Sequence, residues 1–312
     1  MRRYLTARVL QAVMTLWLLT VAGFVLTRLT GDPLDVLLDV RATEEDRVAV
    51  AAALGLDQPL PVQYAIFVAR ATRGDFGDSF KTRRPALDMV MERFPLTVQL
   101  GAVAFVVSVL IAVPMGVITA VKKDTAMDAV GKAIALLGQA MPQFWLGLML
   151  ILVFAVTLGW LPASGAGGVT HLVLPGITLG WYMVAGIMRL VRSAMLDVLG
   201  EEFVVTARAK GVAEPAVVWK HALRNALIPP LTYTGIIFVT LLAGSVVTET
   251  VFAWPGVGQL VVESIVFRDF PTIQVVLLLF GVMYIGVNLA VDLLYAWVDP
   301  RIWLAAAASG RP

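Results

Sequence analysis

The sequence predicts an all-α integral membrane protein with six transmembrane helices and a small helical periplasmic domain between the first two spans. Three observations lead there. The 312 residues are 59% hydrophobic and only 15% charged, where soluble chains are about a quarter charged. Mean hydropathy is +0.84. The apolar residues also fall into long uncharged blocks, each of the length that carries a helix across roughly 30 Å of hydrocarbon.

The first block, Val9–Thr27, follows Arg2, Arg3 and Arg8. A secretory signal peptide would have a shorter apolar region, about 7–15 residues, so this block reads as a retained span. Five more blocks follow: Leu96–Val121, Ala133–Trp160, Leu172–Met188, Ala226–Thr248 and Pro271–Val291. In lipid every backbone polar group needs an internal partner, so these are helices. Lys and Arg set the orientation. With the N-terminus in the cytoplasm, the inner segments collect most basic residues, and the short outer loops near 161–171 and 249–270 carry only Arg268. Both termini are then cytoplasmic. The segment 28–95 is basic as well, but loops longer than about 60 residues escape the charge rule.

That segment has helical signals of its own. Thr43-Glu44-Glu45-Asp46 opens a helix that ends at Gly55. A turn at Asp57-Gln58-Pro59 leads to a second helix from about Pro61 to Arg73, stopped by Gly74. Pro85–Phe94 reads as a third, amphipathic helix entering the second span. The organisation is therefore a span plus outer helical domain over 1–95, a five-span core over 96–304, and a disordered tail over 305–312. Residues 28–95 are either a passive cap or a docking surface for a partner.

The sequence excludes much chemistry. It has no cysteine, hence no disulfide, thiolate metal site or cysteine nucleophile. His171 and His221 are isolated, and no metal site is expected. The net charge of +2 and pI near 9.0 reflect basic cytoplasmic loops rather than nucleic-acid binding. There is no phosphate loop, H-E-x-x-H pair, G-x-S-x-G elbow or dinucleotide fingerprint. No carboxylate sits mid-membrane, which counts against a proton-coupled secondary transporter. Glu249 stands at the outer end of the fifth span, and Asp292 is expected to pair with Arg189 or Arg192. Gly176 and Gly180 space a close helix approach in the fourth span. Pro114 and Pro142 should kink the second and third spans. Gln139, Met141, Gln143, Phe144 and Trp145 flank the second of these kinks. They are candidates to line a translocation path, with packing as the alternative.

The longest inner loop, 193–225, is the most informative. Gly211 separates two helical stretches, and Pro215 suits the first turn of the second. Pro215, Trp219, Ala222, Leu223 and Ala226 share one helical face, with Lys220, His221, Arg224 and Asn225 off it. From the residues alone, a helix–glycine–helix elbow and a helix lying on lipid headgroups both stand.

At this loop the chain resembles a known family. Thr206-Ala-Arg-Ala-Lys-Gly211 followed by His221-Ala-Leu-Arg-Asn-Ala-Leu-Ile-Pro229 is similar to the EAA loop of binding-protein-dependent ABC importers, in particular the first permease of the dipeptide/oligopeptide/nickel group. The likeness extends to Thr30-Gly-Asp-Pro33, Leu54–Tyr64, Arg73-Gly-Asp-Phe-Gly77, Pro142–Gly147, Leu161–Gly165, Glu249–Gly256 and Asp299-Pro-Arg301. The sequence departs from the broader pattern where its Glu-Ala-Ala would fall, at Val205, Thr206 and Ala207, and has Arg224 for a proline.

The resemblance implies a type I importer bundle in the bacterial inner membrane, working by alternating access as half of a translocation path. Glu201, Glu202, Thr206, Ala207, Arg208, Ala209, Lys210, Gly211, His221, Arg224 and Asn225 would form the element that couples to an ATPase. The acids Glu201 and Glu202 stand in for the missing one. Asp75, Phe76, Glu249, Phe252, Trp254 and Pro255 would serve docking of a solute-binding protein or an outer gate. Implied partners are a second homologous permease, two ATP-binding subunits or domains, a periplasmic or lipid-anchored solute-binding protein, and membrane lipid. This chain would bind no cofactor, with ATP and Mg held by the ATPase subunits. Di- or oligopeptides are the expected cargo. Nickel chelates, glutathione and oligosaccharides are the alternatives within the family, and a stand-alone secondary transporter is the alternative outside it.

Overall fold

The computed structural model describes residues 2–29, 34, 38 and 43–298. Side chains beyond Leu289, and a few elsewhere, lie outside that description. So do the motifs at 30–33 and 299–301 and the tail 305–312. Among the described residues the architecture is helical, with one isolated bridge between Asp78 and Pro85.

In chain order the helices are α1 (Arg2–Leu29), α2 (Glu44–Leu54), α3 (Leu60–Ala71), α4 (Ala86–Val121), α5 (Ala126–Ala140) and α6 (Gln143–Leu150, extended by a π-helical run Ile151–Thr157). Then come α7 (Val169–Leu199), α8 (Glu202–Ala209), α9, α10 (Ile228–Val251), α11 (Val257–Val266) and α12 (Phe270–Val298). The label α9 covers a turn Glu214–Ala216, a π-helical run Val217–Ala222 and a closing turn Leu223–Ala226.

Among the described residues, four segments are long and apolar enough to cross a membrane: Arg8–Leu29, Ala86–Val121, Val169–Leu199 and Phe270–Leu289. α5 and α6 make a fifth if taken as one broken span. α10 adds a helix of 24 residues where the sequence placed another apolar block. The expected single span Ala133–Trp160 is broken rather than kinked. α5 and α6 meet at 108°, because Pro142 lacks an N–H and forces Met141 into extended backbone (φ −76, ψ 129). Pro114, by contrast, lies inside an unbroken α4.

The chain divides into two compact units, 1–96 with 255–289, and 97–254 with the chain from 290. The sequence reading kept 255–289 with the core. Its apolar residues pack instead with the first unit: Val257, Leu260, Val275 and Val276 form one buried cluster with Ala86, Met89 and Val90.

In the first unit, the caps read from the sequence set α2. Thr43 Oγ1 accepts from the Asp46 N–H, Asp46 accepts from the Thr43 N–H, and Gly55 ends the helix at φ 68. The Gln63 amide donates to the carbonyls of Leu56 and Gln58, tying the turn before α3. α3 lies on α1 through Tyr64 and Phe67 against Phe24. The third expected helix is the first part of the long α4.

In the second unit α7 is central, with fifteen buried positions along its length. Its glycines explain how closely α4 approaches. A Cβ on Gly180 would stand 2.6 Å from the Ala104 carbonyl and from Ser108 Oγ, and one on Gly176 2.9 Å from Val103. Ser108 Oγ donates to the Gly180 carbonyl at 2.8 Å, a hydrogen bond that such proximity allows.

Candidate functional site

The elbow begins where α7 ends. Only Gly200 and Glu201 separate α7 from α8. α8 is pinned by Val204, which is wholly buried, so its opposite face is open. Glu201, Glu202, Thr206, Arg208, Ala209 and Lys210 are exposed, with Ala207 half-buried. Gly211 then reverses the chain at φ 74, a conformation that costs an L-residue about 1–2 kcal/mol. Across that turn Arg208 donates from Nη2 and Nε to the Glu214 carboxylate at 2.7 and 3.1 Å. The guanidinium holds the Glu214 carboxyl below its ordinary value. The carboxylate in turn holds Arg208 above its own.

α9 differs in register from the expectation. The buried side is Val217, Val218, Ala222 and Ala226, while Trp219 is 46% exposed and Pro215 is also exposed. The π-helical run has more residues per turn than an α-helix, which rotates Trp219 off the buried face. Arg224 and Asn225 are exposed and His221 half-buried, so most of the predicted coupling residues present themselves on the elbow's surface. Sequence reasoning missed the apolar part of that surface: Phe203 at 42% and Val205 at 56% exposure join Trp219.

The docking candidates fall in two places. Asp75 is exposed, accepting from the Gly77 N–H at 3.0 Å and lying 3.5 Å from Arg70. Phe76 packs on the apolar cluster of the first unit. In the second unit Glu249, Phe252 and Trp254 are buried. Glu249 Oε1 accepts from Ser245, and the Phe252 carbonyl accepts from the Gly165 N–H at 2.8 Å. These three shape the loop from within and offer no surface to a docking protein in this conformation. Pro255 is half-exposed.

The first unit has a polar anchor that the sequence did not single out. Asp269, 2% exposed, accepts from Ser79 Oγ at 2.5 Å, the Phe80 N–H at 2.9 Å and Thr272 Oγ1 at 2.8 Å. It fastens the loop before α4 to the start of α12.

The path candidates Gln139, Met141, Gln143, Phe144 and Trp145 cluster at the α5–α6 break, where Phe144 and Trp145 are about half-exposed (51% and 44%). Across α5, the indole N–H of Trp181 is buried beside Gly138 without a hydrogen-bond partner among the described residues. Arg192 pairs with Asp128, and the Asp292 side chain, expected to pair with Arg189 or Arg192, lies outside the described residues.

The described residues thus combine helices long and apolar enough to cross a membrane with an exposed helix–glycine–helix elbow. Residues 112–304 match the family of binding-protein-dependent transport system inner membrane components. Residues 1–101 match its membrane-component N-terminal family. Glutathione transport system permease protein GsiC of Escherichia coli (strain K12) is 43% identical over 97% of this chain and 99% of that protein. The Salmonella typhi protein of the same name is 42% identical over the same shares. Among solved structures, an inward-facing MetNI methionine ABC transporter has a TM-score of 0.57 at 21% identity, covering 68% of this chain and 96% of that one. The chain belongs to the binding-protein-dependent transport system inner membrane component family and is the permease component of an ABC importer.

Proposed function

We propose that this permease forms half of an alternating-access path for short peptides, with a second homologous permease forming the other half. Two ATP-binding subunits or domains, holding ATP and Mg, drive it at the elbow, and a periplasmic or lipid-anchored solute-binding protein supplies cargo at 28–95. The distribution of Lys and Arg supports placing both termini in the cytoplasm. Within the peptide class, glutathione is the first cargo to test, since it is a tripeptide and is what the 43%-identical permease is named for.

The observation that carries the reading is the elbow. Charged residues of α8 are exposed alongside the apolar Phe203, Val205 and Trp219, a composition that suits docking better than a solvated loop does. ATP-driven closure of the partner subunits would act there, favouring one state of the bundle over the other. The chain has no cysteine, so single cysteines report cleanly. In the assembled complex, Thr206→Cys should cross-link to a cysteine in the ATPase subunit, with a yield that changes on ATP binding. Val204→Cys, on the buried side, should not. Absence of any cross-link from Thr206 or Arg224 positions would overturn the assignment. Cargo is read separately, from ligand binding by the partner solute-binding protein and uptake of glutathione against dipeptides and nickel chelates.

A further inference from the structure

The second unit contains a buried ionic joint next to the elbow. Asp128, on the first turn of α5, is 1% exposed. Its carboxylate accepts from Arg192 Nε at 2.8 Å and Nη2 at 2.9 Å, and from the Asp124 N–H at 3.1 Å, with Lys132 Nζ at 2.7 Å. Two of these partners are local to the turn and α5. Asp124 and Lys132 both reach Oδ2, and an acid in a helix first turn is favoured by the helix dipole. Arg192 spans both oxygens, with Nε on Oδ1 and Nη2 on Oδ2, and comes from another helix. It joins α5 to α7.

Its place in the chain gives that joint a use. Arg192 lies seven residues before the end of α7 at Leu199, and two residues separate that end from the start of α8 at Glu202. α7 is thus a stiff lever running from the bundle into the elbow. Beside the joint the helices meet without slack. A Cβ on Gly116 of α4 would stand 2.7 Å from Val191, and Gly131 of α5 sits directly against Thr119 of α4. Close-packed contacts of this kind resist compression but allow helices to part or slide. A bidentate ion pair shielded from water resists both.

We propose that Asp128 and Arg192 are a positioning pair that makes the elbow-side ends of α4, α5 and α7 move as one body. Displacement of α8 by a partner then reaches α5, and through it the α5–α6 break at Pro142, instead of dissipating as sliding of α7. This rests on the importer reading above.

The test is ATP hydrolysed per substrate imported, measured on the complete complex in proteoliposomes. Asp128→Asn and Arg192→Gln should keep ATP hydrolysis but import about tenfold less substrate per ATP. Arg192→Lys, which keeps the charge and loses the bidentate geometry, should recover part of that loss. A purely structural role predicts instead that yield, hydrolysis and import fall together at constant ratio, and an unchanged ratio in assembled variants overturns the proposal. If Asp128→Asn does not assemble, Arg192→Lys decides alone: a ratio equal to wild type overturns it. Should the wild-type complex itself show no ATP-driven import, the importer reading fails rather than the joint.

Discussion

Arg208 and Glu214 close a two-point ion pair across Gly211, with the guanidinium nitrogens 2.7 and 3.1 Å from the two carboxylate oxygens. The pair bridges α8 and α9 across the turn while both side chains stay exposed. A left-handed glycine supplies the turn and the ion pair selects its closed form.

The pair gives the elbow a pH dependence of known sign. Arg208 holds the Glu214 carboxyl below its ordinary value of 4.5. Its contribution is therefore fully present above that value and disappears as the pH falls through the lower value of the closed elbow. Protection factors of the 208–214 amides, which remove the intrinsic pH dependence of exchange, should be flat from neutral pH down to the ordinary carboxyl value of 4.5 and fall as the pH drops below it. In Glu214→Gln that acid step should vanish. Import at neutral pH should drop by less than about fivefold in the same variant, since an exposed pair holds geometry weakly.

Gly211 should be sensitive to backbone conformation and not to size. Nothing lies within 4 Å of a Cβ built there, yet φ is 74. Gly211→Ala should disfavour the turn by about 1–2 kcal/mol, a factor of roughly 5–30 in its population. Gly211→Asn, which tolerates left-handed backbone, should lose less. Gly211→Trp should uncouple ATP hydrolysis from uptake, adding bulk on the docking side to the same strain. Import per ATP across the three variants checks the order Asn, Ala, Trp.

Gly180 poses the opposite case, where space decides. With the Ala104 carbonyl and Ser108 Oγ both 2.6 Å from a new Cβ, even Gly180→Ala forces α4 and α7 apart. The expected loss is about 1–3 kcal/mol, read as a lower unfolding temperature in detergent and a lower yield in membranes.

Asp269 should matter to the loop before α4 and to the start of α12. Asp269→Ala strands the Ser79 hydroxyl and the Phe80 N–H in a buried site, at about 1–3 kcal/mol for each donor left without an acceptor. Limited proteolysis between 77 and 85 should quicken. Asp269→Asn keeps acceptors for some of these donors and should fall between the variant and wild type.

What the sequence made legible was local. Thr43, Asp46 and Gly55 announce both ends of α2 through capping chemistry that spans a few residues. Gly211 announces the elbow because few residues but glycine turn that way. The uncharged blocks announce the apolar helices by length. The rest depends on partners far apart in the chain. Asp128 looks like an ordinary first-turn acid until Arg192, 64 residues on, is brought against it. Ser79 and Asp269 meet across 190 residues, and neither carries a local sign of the other. The exposed Trp219 was misplaced for a different reason: a π-helical run changes the period on which the face was counted. The full break at Pro142 exceeded the expected kink because Met141 adopts the extended backbone favoured before proline.

The most direct test is uptake into proteoliposomes by the purified complex, with and without its ATP-binding subunits and solute-binding protein. If the elbow is the coupling element of an importer permease, substrate accumulates only when both partners and ATP are present, and Gly211→Trp abolishes accumulation while hydrolysis continues. Accumulation by this permease without the ATP-binding subunits, driven by an ion gradient, would contradict that claim, as would full uptake by the Gly211→Trp complex.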